Sequence, residues 1–180
     1  MIEIEVKIKI NNPEDIKNRI VALNAALDKE RHLEENTLYD FASEDLYRKN
    51  HALRVRKVNS KTFLTFKGAT QKSRRFKIRE EYETEIKNAK QLQKILKSLG
   101  LRPVFKYSKY RTVFRKKRLK ICLDETSVGN YLELEGQQSE IVRFAEALSL
   151  SKRNFIKKDY IQLIEDNKDS NSSRDSKKDI

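Results

Sequence analysis

Met1-Ile2-Glu3-Ile4-Glu5-Val6-Lys7-Ile8-Lys9-Ile10 alternates apolar and charged side chains without a slip. A period of two is the period of an extended strand. Ile2, Ile4, Val6, Ile8 and Ile10 therefore share one face, and Glu3, Glu5, Lys7 and Lys9 share the other. Taken alone, this is an amphipathic strand with one wetted face. The same pattern recurs along the chain, and the recurrence decides the fold.

Leu53 and Val55 oppose Arg54 and Arg56 in Ala52–Val58, and Asn59-Ser60 turns the chain into Thr62–Lys67, a hairpin. Arg74–Ile86 reads as a long strand with Arg79, Glu81, Glu83 and Glu85 on one face. Pro103–Phe114 sets Lys109 and Arg111 against Tyr110, Thr112 and Phe114. Leu119–Asp124 follows a basic turn, and Tyr131–Gly136 sets Glu133 and Glu135 against Leu132 and Leu134. A further extended segment surrounds Asn36–Phe41, and Ala42–Asn50 reads as a loop or short helix. Helices interrupt the strands. Asn12-Pro13-Glu14-Asp15 is a helix start, with a cap, a proline suited to the first helical position and two acids at the positive end of the dipole. Ile16, Ile20, Leu23 and Leu27 carry that helix to about Leu27. Asn88 caps a second helix that Gly100 ends. Ser139–Leu148 and Asp159–Ile164 have helical spacing, and the polar tail 166–180 is expected to be disordered.

The 180 residues make one domain, 1–165, ahead of that tail. About eight strands with tight turns predict an α+β fold, a closed or nearly closed antiparallel barrel with helices packed outside. Charged residues reach 37% and the formal charge is +13, which points to an anionic partner. Four glycines and no glycine-rich loop exclude a Rossmann or P-loop site. A single cysteine, Cys122, excludes an intramolecular disulfide and a cysteine zinc cluster. No apolar run approaches the roughly 18 residues of a membrane span, and the N-terminus lacks a signal-peptide layout. A cytoplasmic protein without a membrane role is expected. His32 and His51 lie in or beside loops without partners at metal spacing, which predicts surface roles.

If the helices cover the apolar strand faces, the charged faces line the interior. Unpaired buried ions cost several kcal/mol or more, so the interior needs counter-charges. Glu3, Glu5, Glu81, Glu83, Asp124, Glu133 and Glu135 stand against Lys7, Arg54, Arg56, Lys67, Arg79, Lys109 and Arg111. Clustered carboxylates must be protonated or hold a cation. All-oxygen ligands suit Mg²⁺ or Mn²⁺. Clustered Arg and Lys suit phosphate. Cys122 alternates with Lys120 and Asp124 and so faces inward. A non-enzymatic RNA- or polyphosphate-binding barrel is the rival reading, with Tyr39, Tyr107 and Tyr110 as stacking surfaces. The interior acids weigh against nucleic acid.

The Glu3-Ile4-Glu5-Val6-Lys7 run resembles the N-terminal Glu-x-Glu-x-Lys signature of the CYTH superfamily, the triphosphate tunnel metalloenzymes. Arg54-x-Arg56, Lys67, Arg79-x-Glu81-x-Glu83, Lys109-x-Arg111, Asp124 and Glu133-x-Glu135 resemble its later motifs in order. Lys158-Asp159-Tyr160-Ile161-Gln162-Leu163 resembles its closing helix, although Ser is usual where Asp159 stands. Asn36–Asp40 and Ala52–Arg56 look like the bacterial class IV adenylyl cyclases. The resemblance implies an eight-stranded tunnel acting on triphosphates with a divalent metal. Glu3, Glu5, Glu133, Glu135 and Asp124 would hold metal. Lys7, Arg54, Arg56, Lys67, Arg79, Lys109, Arg111 and Lys158 would hold phosphate. Lys7, Glu81 and Glu83 would serve the chemistry, with Glu85 in the same register. It implies a cyclase converting ATP to cyclic AMP and pyrophosphate, or a triphosphatase acting on inorganic, thiamine or nucleoside triphosphate, as monomer or homodimer.

Overall fold

The computed structural model describes residues 1–175. Eight strands close into one antiparallel barrel in the order β1-β5-β4-β3-β2-β6-β7-β8, with β8 pairing back onto β1. They are β1 Ile2–Ile10, β2 Ala26–Asp40, β3 Ala52–Val58, β4 Lys61–Lys67, β5 Lys77–Ile86, β6 Arg102–Lys116, β7 Leu119–Thr126 and β8 Gly129–Glu135. The α+β barrel expected from the alternation is the observed fold. Closure leaves no open sheet edge.

The helices are α1 Pro13–Ala22, α2 Asp45–Arg48, α3 Ala89–Ser98, α4 Gln138–Ala147 and α5 Tyr160–Asp175, with a 3-10 turn at Lys152–Asn154. Among the described residues no helix is long and apolar enough to cross a membrane. Asn12 caps α1 through a bond from the Asp15 backbone N–H, and Pro13 opens it. The expectation that α1 reaches Leu27 is corrected. Leu23 ends the helix, Asn24 takes a left-handed φ of 58°, and β2 already begins at Ala26. The hydrophobic spacing of Leu23 and Leu27 continued across this break by coincidence. β5 likewise starts at Lys77 rather than Arg74.

The apolar strand faces point outward, under the helices. Val6, Ile8 and Ile10 of β1 pack with Ile121, Leu132 and Leu134 beneath Ile16 and Ile20 of α1 and Ile141, Phe144 and Leu148 of α4. A second core joins Leu92 and Leu96 of α3 to Tyr39, Leu53, Val55 and Leu64 on the opposite wall. Each fully buried aliphatic side chain contributes about 1.5–3 kcal/mol. The hydrophobic effect thus acts on the outside of the barrel, and the inside is left to charge.

The stretch 166–175, expected to be disordered, continues α5 as helix; residues 176–180 lie outside the described residues. Asp159 and Gln162 start α5 by reciprocal capping, each accepting from the other's backbone N–H. Once nucleated, a helix extends cheaply over polar residues.

Candidate active site

Strand alternation delivers the charged faces into a cavity of about 280 Å³ along the barrel axis. The lining is a set of ion pairs. Lys67 sits 2.9 Å from Glu3 and also bonds Glu81. Lys7 lies 3.1 Å from both Glu5 and Glu133. Arg111 bridges Asp124 and Glu133. Arg79 reaches Glu3 at 3.5 Å. Arg56 meets Glu83 at 2.9 Å and Glu34 at 3.4 Å. Arg54 lies 3.5 Å from Glu83, and Lys120 pairs with Glu135 at 2.7 Å. Lys109 stands between Asp124, at 3.0 Å, and Glu34, at 3.6 Å.

Two of these residues, Glu34 and Lys120, are absent from the charges read off the sequence. With them, eight carboxylates face eight bases and the lining is close to neutral. The surplus of +13 therefore lies elsewhere on the chain. Interleaved bases compensate the clustered carboxylates in this structure, and some of the same carboxylates remain candidates to hold a cation. Burial pushes the Glu133 carboxyl up, but Arg111 and Lys7 outweigh it and hold it well below the usual range. Glu34 behaves the same way beside Arg111 and Lys109, and so, more mildly, does Glu5 beside Lys7. Burial would lower Lys7, but Glu133 and Glu5 raise it. Glu133, Glu34, Glu5 and Lys7 are thus each held in the charged form by their partners.

Asp124 has a side-chain exposure of 0%. Its oxygens accept from Arg111 Nε at 2.6 Å, Lys109 Nζ at 3.0 Å and the Tyr160 hydroxyl. In this structure that filled shell makes it the counter-ion of two bases. Glu81 and Glu83 both line the cavity, and Thr65 Oγ1 donates to Glu83 at 2.7 Å. Glu85 pairs with Lys61 at 3.0 Å and borders only the far mouth, whereas the first two line the central cavity.

Lys158 is corrected: it is 54% exposed, pairs with Asp166 outside the barrel and does not line the cavity. The chain between the Lys7–Ile156 bridge and α5 turns Asp159 inward instead, where it meets the buried Lys77 at 3.2 Å. His32 is also corrected. It borders the far mouth of the tunnel, with Nε2 3.7 Å from Glu34, which raises its pKa. Tyr39 packs in the outer core and Tyr110 is stacked under Arg31, so neither reaches the tunnel; Tyr107 does. Cys122 is buried, and burial pushes its thiol up to about 11. Glu34 and Asn36 escaped the reading because β2 carries three register irregularities and little apolar alternation. Their shared parity with Leu38 was the available signal.

Among the described residues no three of His, Cys, Asp and Glu already converge as a metal cluster. Glu3, Glu5, Glu133 and Glu135 nevertheless share one cavity as hard oxygen donors, each paired with a lysine or an arginine. That donor set fits Mg²⁺ or Mn²⁺.

Fold and lining together define a closed antiparallel barrel with an ion-paired interior. The chain belongs to the CYTH domain family, whose model matches residues 1–161. A protein of Methanocaldococcus jannaschii, named as a candidate adenylate cyclase, is 29% identical over 174 residues, covering 91% of this chain and 98% of that one. A candidate adenylate cyclase structure from Vibrio parahaemolyticus superposes with a TM-score of 0.82 at 18% identity, covering 92% of this chain and 98% of the other. A Hippeastrum protein, described as a candidate adenylyl cyclase with a dominant triphosphatase activity, gives a TM-score of 0.67 at 21% identity, covering 92% and 96%. At those identities the two structures speak to the fold.

Proposed function

We propose that this protein is a divalent-metal-dependent enzyme acting on triphosphates, and that its reaction is the cyclisation of ATP to cyclic AMP with release of pyrophosphate. The observation that carries the triphosphate reading is the neutral, interleaved lining. A bare triphosphate entering such a tunnel would bring several uncompensated negative charges next to buried carboxylates, at high cost. A metal–triphosphate brings both signs. The lysines and arginines would then compensate the phosphate oxygens while Glu3, Glu5, Glu133 and Glu135 would hold the cation, and the interior would stay balanced. Glu3, Glu5, Glu133 and Glu135 are the residues that would hold the metal, which supplies Lewis-acid polarisation of phosphate oxygens.

Lys7, Arg54, Arg56, Lys67, Arg79, Lys109 and Arg111 would bind the phosphate oxygens, the arginines offering planar forks. Their charge stabilises the negative charge that builds on the leaving phosphates. Asp124 holds Arg111 and Lys109 in place for this. Glu81, whose pKa the hydrogen bond with Glu3 and the Lys67 charge lower, and Glu83, whose pKa Arg56 and Thr65 lower, both against the effect of burial, would accept a hydrogen bond from the attacking hydroxyl and orient it.

The cyclase assignment draws on the Methanocaldococcus jannaschii relative. A triphosphatase is the second reading, favoured by the observation that the charged lining addresses phosphates alone and would serve water as well as a ribose hydroxyl. Incubation with ATP or tripolyphosphate and either metal, with separation of products, tests both. Cyclic AMP and pyrophosphate in equal amounts are expected. ADP and orthophosphate from ATP without cyclic AMP, together with orthophosphate and pyrophosphate from tripolyphosphate, would transfer the assignment to the triphosphatase, and no turnover of either substrate would refute the enzyme reading.

A further inference from the structure

The tunnel is charged along nearly all its length, but at one end apolar and aromatic side chains stand among the charges, with Lys7 and Lys109 over the Tyr160 ring. There Leu38 of β2, Ala52 of β3, Tyr107 of β6 and Tyr160 and Ile161 of α5 line the cavity. The Tyr107 and Tyr160 rings stand 6.0 Å apart at 39°. Tyr107 also borders a groove outside this mouth, about 820 Å³, where Phe105 and Ile164 continue the apolar wall. A bare inorganic triphosphate gains nothing from such a wall. A ligand with a flat organic group does, through burial and stacking.

An independent observation lies one strand repeat further in. Asn36 shares the inward parity of Glu34 and Leu38 and pairs directly across from Tyr107 on β6 and Arg56 on β3. It is buried, and its Oδ1 has no hydrogen-bond partner. Its Nδ2 donates only a long 3.4 Å bond to the Glu34 carbonyl. An unpartnered buried acceptor costs about 1–3 kcal/mol, a cost that a ligand's donor removes. The carboxamide offers one acceptor beside one donor, the complement of the amino-bearing edge of adenine.

We propose that the Tyr107 mouth and Asn36 form a subsite for the base of a nucleoside triphosphate, with Asn36 selecting an amino-purine over an oxo-purine. The inference rests on the triphosphate reading above and adds the organic half of the substrate. The triphosphate would point from this mouth into the lysines and arginines.

Calorimetric binding of tripolyphosphate, a non-hydrolysable ATP analogue and its GTP counterpart, each with Mn²⁺, tests it. Wild type should bind the ATP analogue about tenfold or more tighter than tripolyphosphate, the scale of one stacked base. Asn36→Leu should bring the ATP and GTP analogues close to parity while tripolyphosphate stays within about twofold, since one hydrogen-bonded edge is lost and no charge changes. Ala52→Phe fills the half-buried mouth without touching the core, which keeps the test intact if the buried substitution unfolds. It should weaken the ATP analogue about tenfold and spare tripolyphosphate. Equal affinity of wild type for the ATP analogue and tripolyphosphate overturns the subsite and leaves the triphosphate reading standing. Equal loss of both ligands in Ala52→Phe does the same. Failure of wild type to bind tripolyphosphate at all overturns both.

Discussion

Asp124→Asn separates a counter-ion from a metal ligand. Asp124 is enclosed and holds Arg111 through two nitrogens, Lys109 through Nζ and the Tyr160 hydroxyl. Asparagine keeps the shape and removes the charge. Arg111 retains Glu133 at 2.8 Å, and Lys109 retains only Glu34 at 3.6 Å. Removing one partner of a buried pair costs about 3–5 kcal/mol, because the remaining charge stays desolvated. For a chain of this size that is a fall in Tm of about 6–20 °C, or a drop in the urea midpoint of about 2 M at an m-value near 2 kcal/mol/M. The vacated charge also favours anions. Tripolyphosphate without metal should bind Asp124→Asn more tightly than wild type and restore part of the lost Tm. Urea melts with and without tripolyphosphate, alongside Mn²⁺ titrations, check both effects. A stability change under 1 kcal/mol, combined with a weakened Mn²⁺ titration, would show that Asp124 serves the metal and would refute the counter-ion argument.

Glu3→Gln and Glu5→Gln should each abolish metal-dependent turnover while tightening metal-free tripolyphosphate binding, measured by product analysis and calorimetry; a parallel loss of both would contradict the division of acids to metal and bases to phosphate. Lys158→Ala should keep kcat and KM within about twofold and stability within 1 kcal/mol, as for an exposed pair, whereas a tenfold loss of turnover would return Lys158 to the tunnel. Stability should gain slightly on acidification from neutrality, as His32, whose pKa is raised by its hydrogen bond to Glu34, takes up its proton, and should fall below the unfolded glutamate value of 4.5. Glu133, Glu34, Glu5, Glu81 and Glu83 all have depressed pKa values in the fold. Their contribution is therefore complete above 4.5 and is lost as pH drops through the lower folded values. Denaturant melts from pH 7 to pH 3 check the sign, and stability that stays level or rises below pH 4.5 would refute it.

The alternation in β1, β3, β4, β5, β7 and β8 was legible because a strand's period is set by backbone geometry and survives any environment. The helix caps at Asn12 and Asn88 were legible for the same reason: they are local hydrogen bonds, here from Asp15 and Gln91. What escaped was non-local. The end of α1 at Asn24 is a single backbone rotation that no hydrophobic spacing records. Glu34 lay in an irregular stretch whose inward parity is fixed only by pairing with β3 and β6. Lys158 and Asp159 are neighbours in sequence and equally polar, and only the bridge of Ile156 to Lys7 decides which one turns inward.

The chain by itself thus determined which side chains share a face and in what order the charged faces follow one another, since both depend on covalent spacing. Closure of the barrel decided the rest: that the faces meet across an interior, that eight acids find eight bases there, and that Asp124 is spent on holding Arg111 and Lys109. Coulomb interactions depend on distance through space, and distance between strands far apart in sequence exists only once the fold has formed.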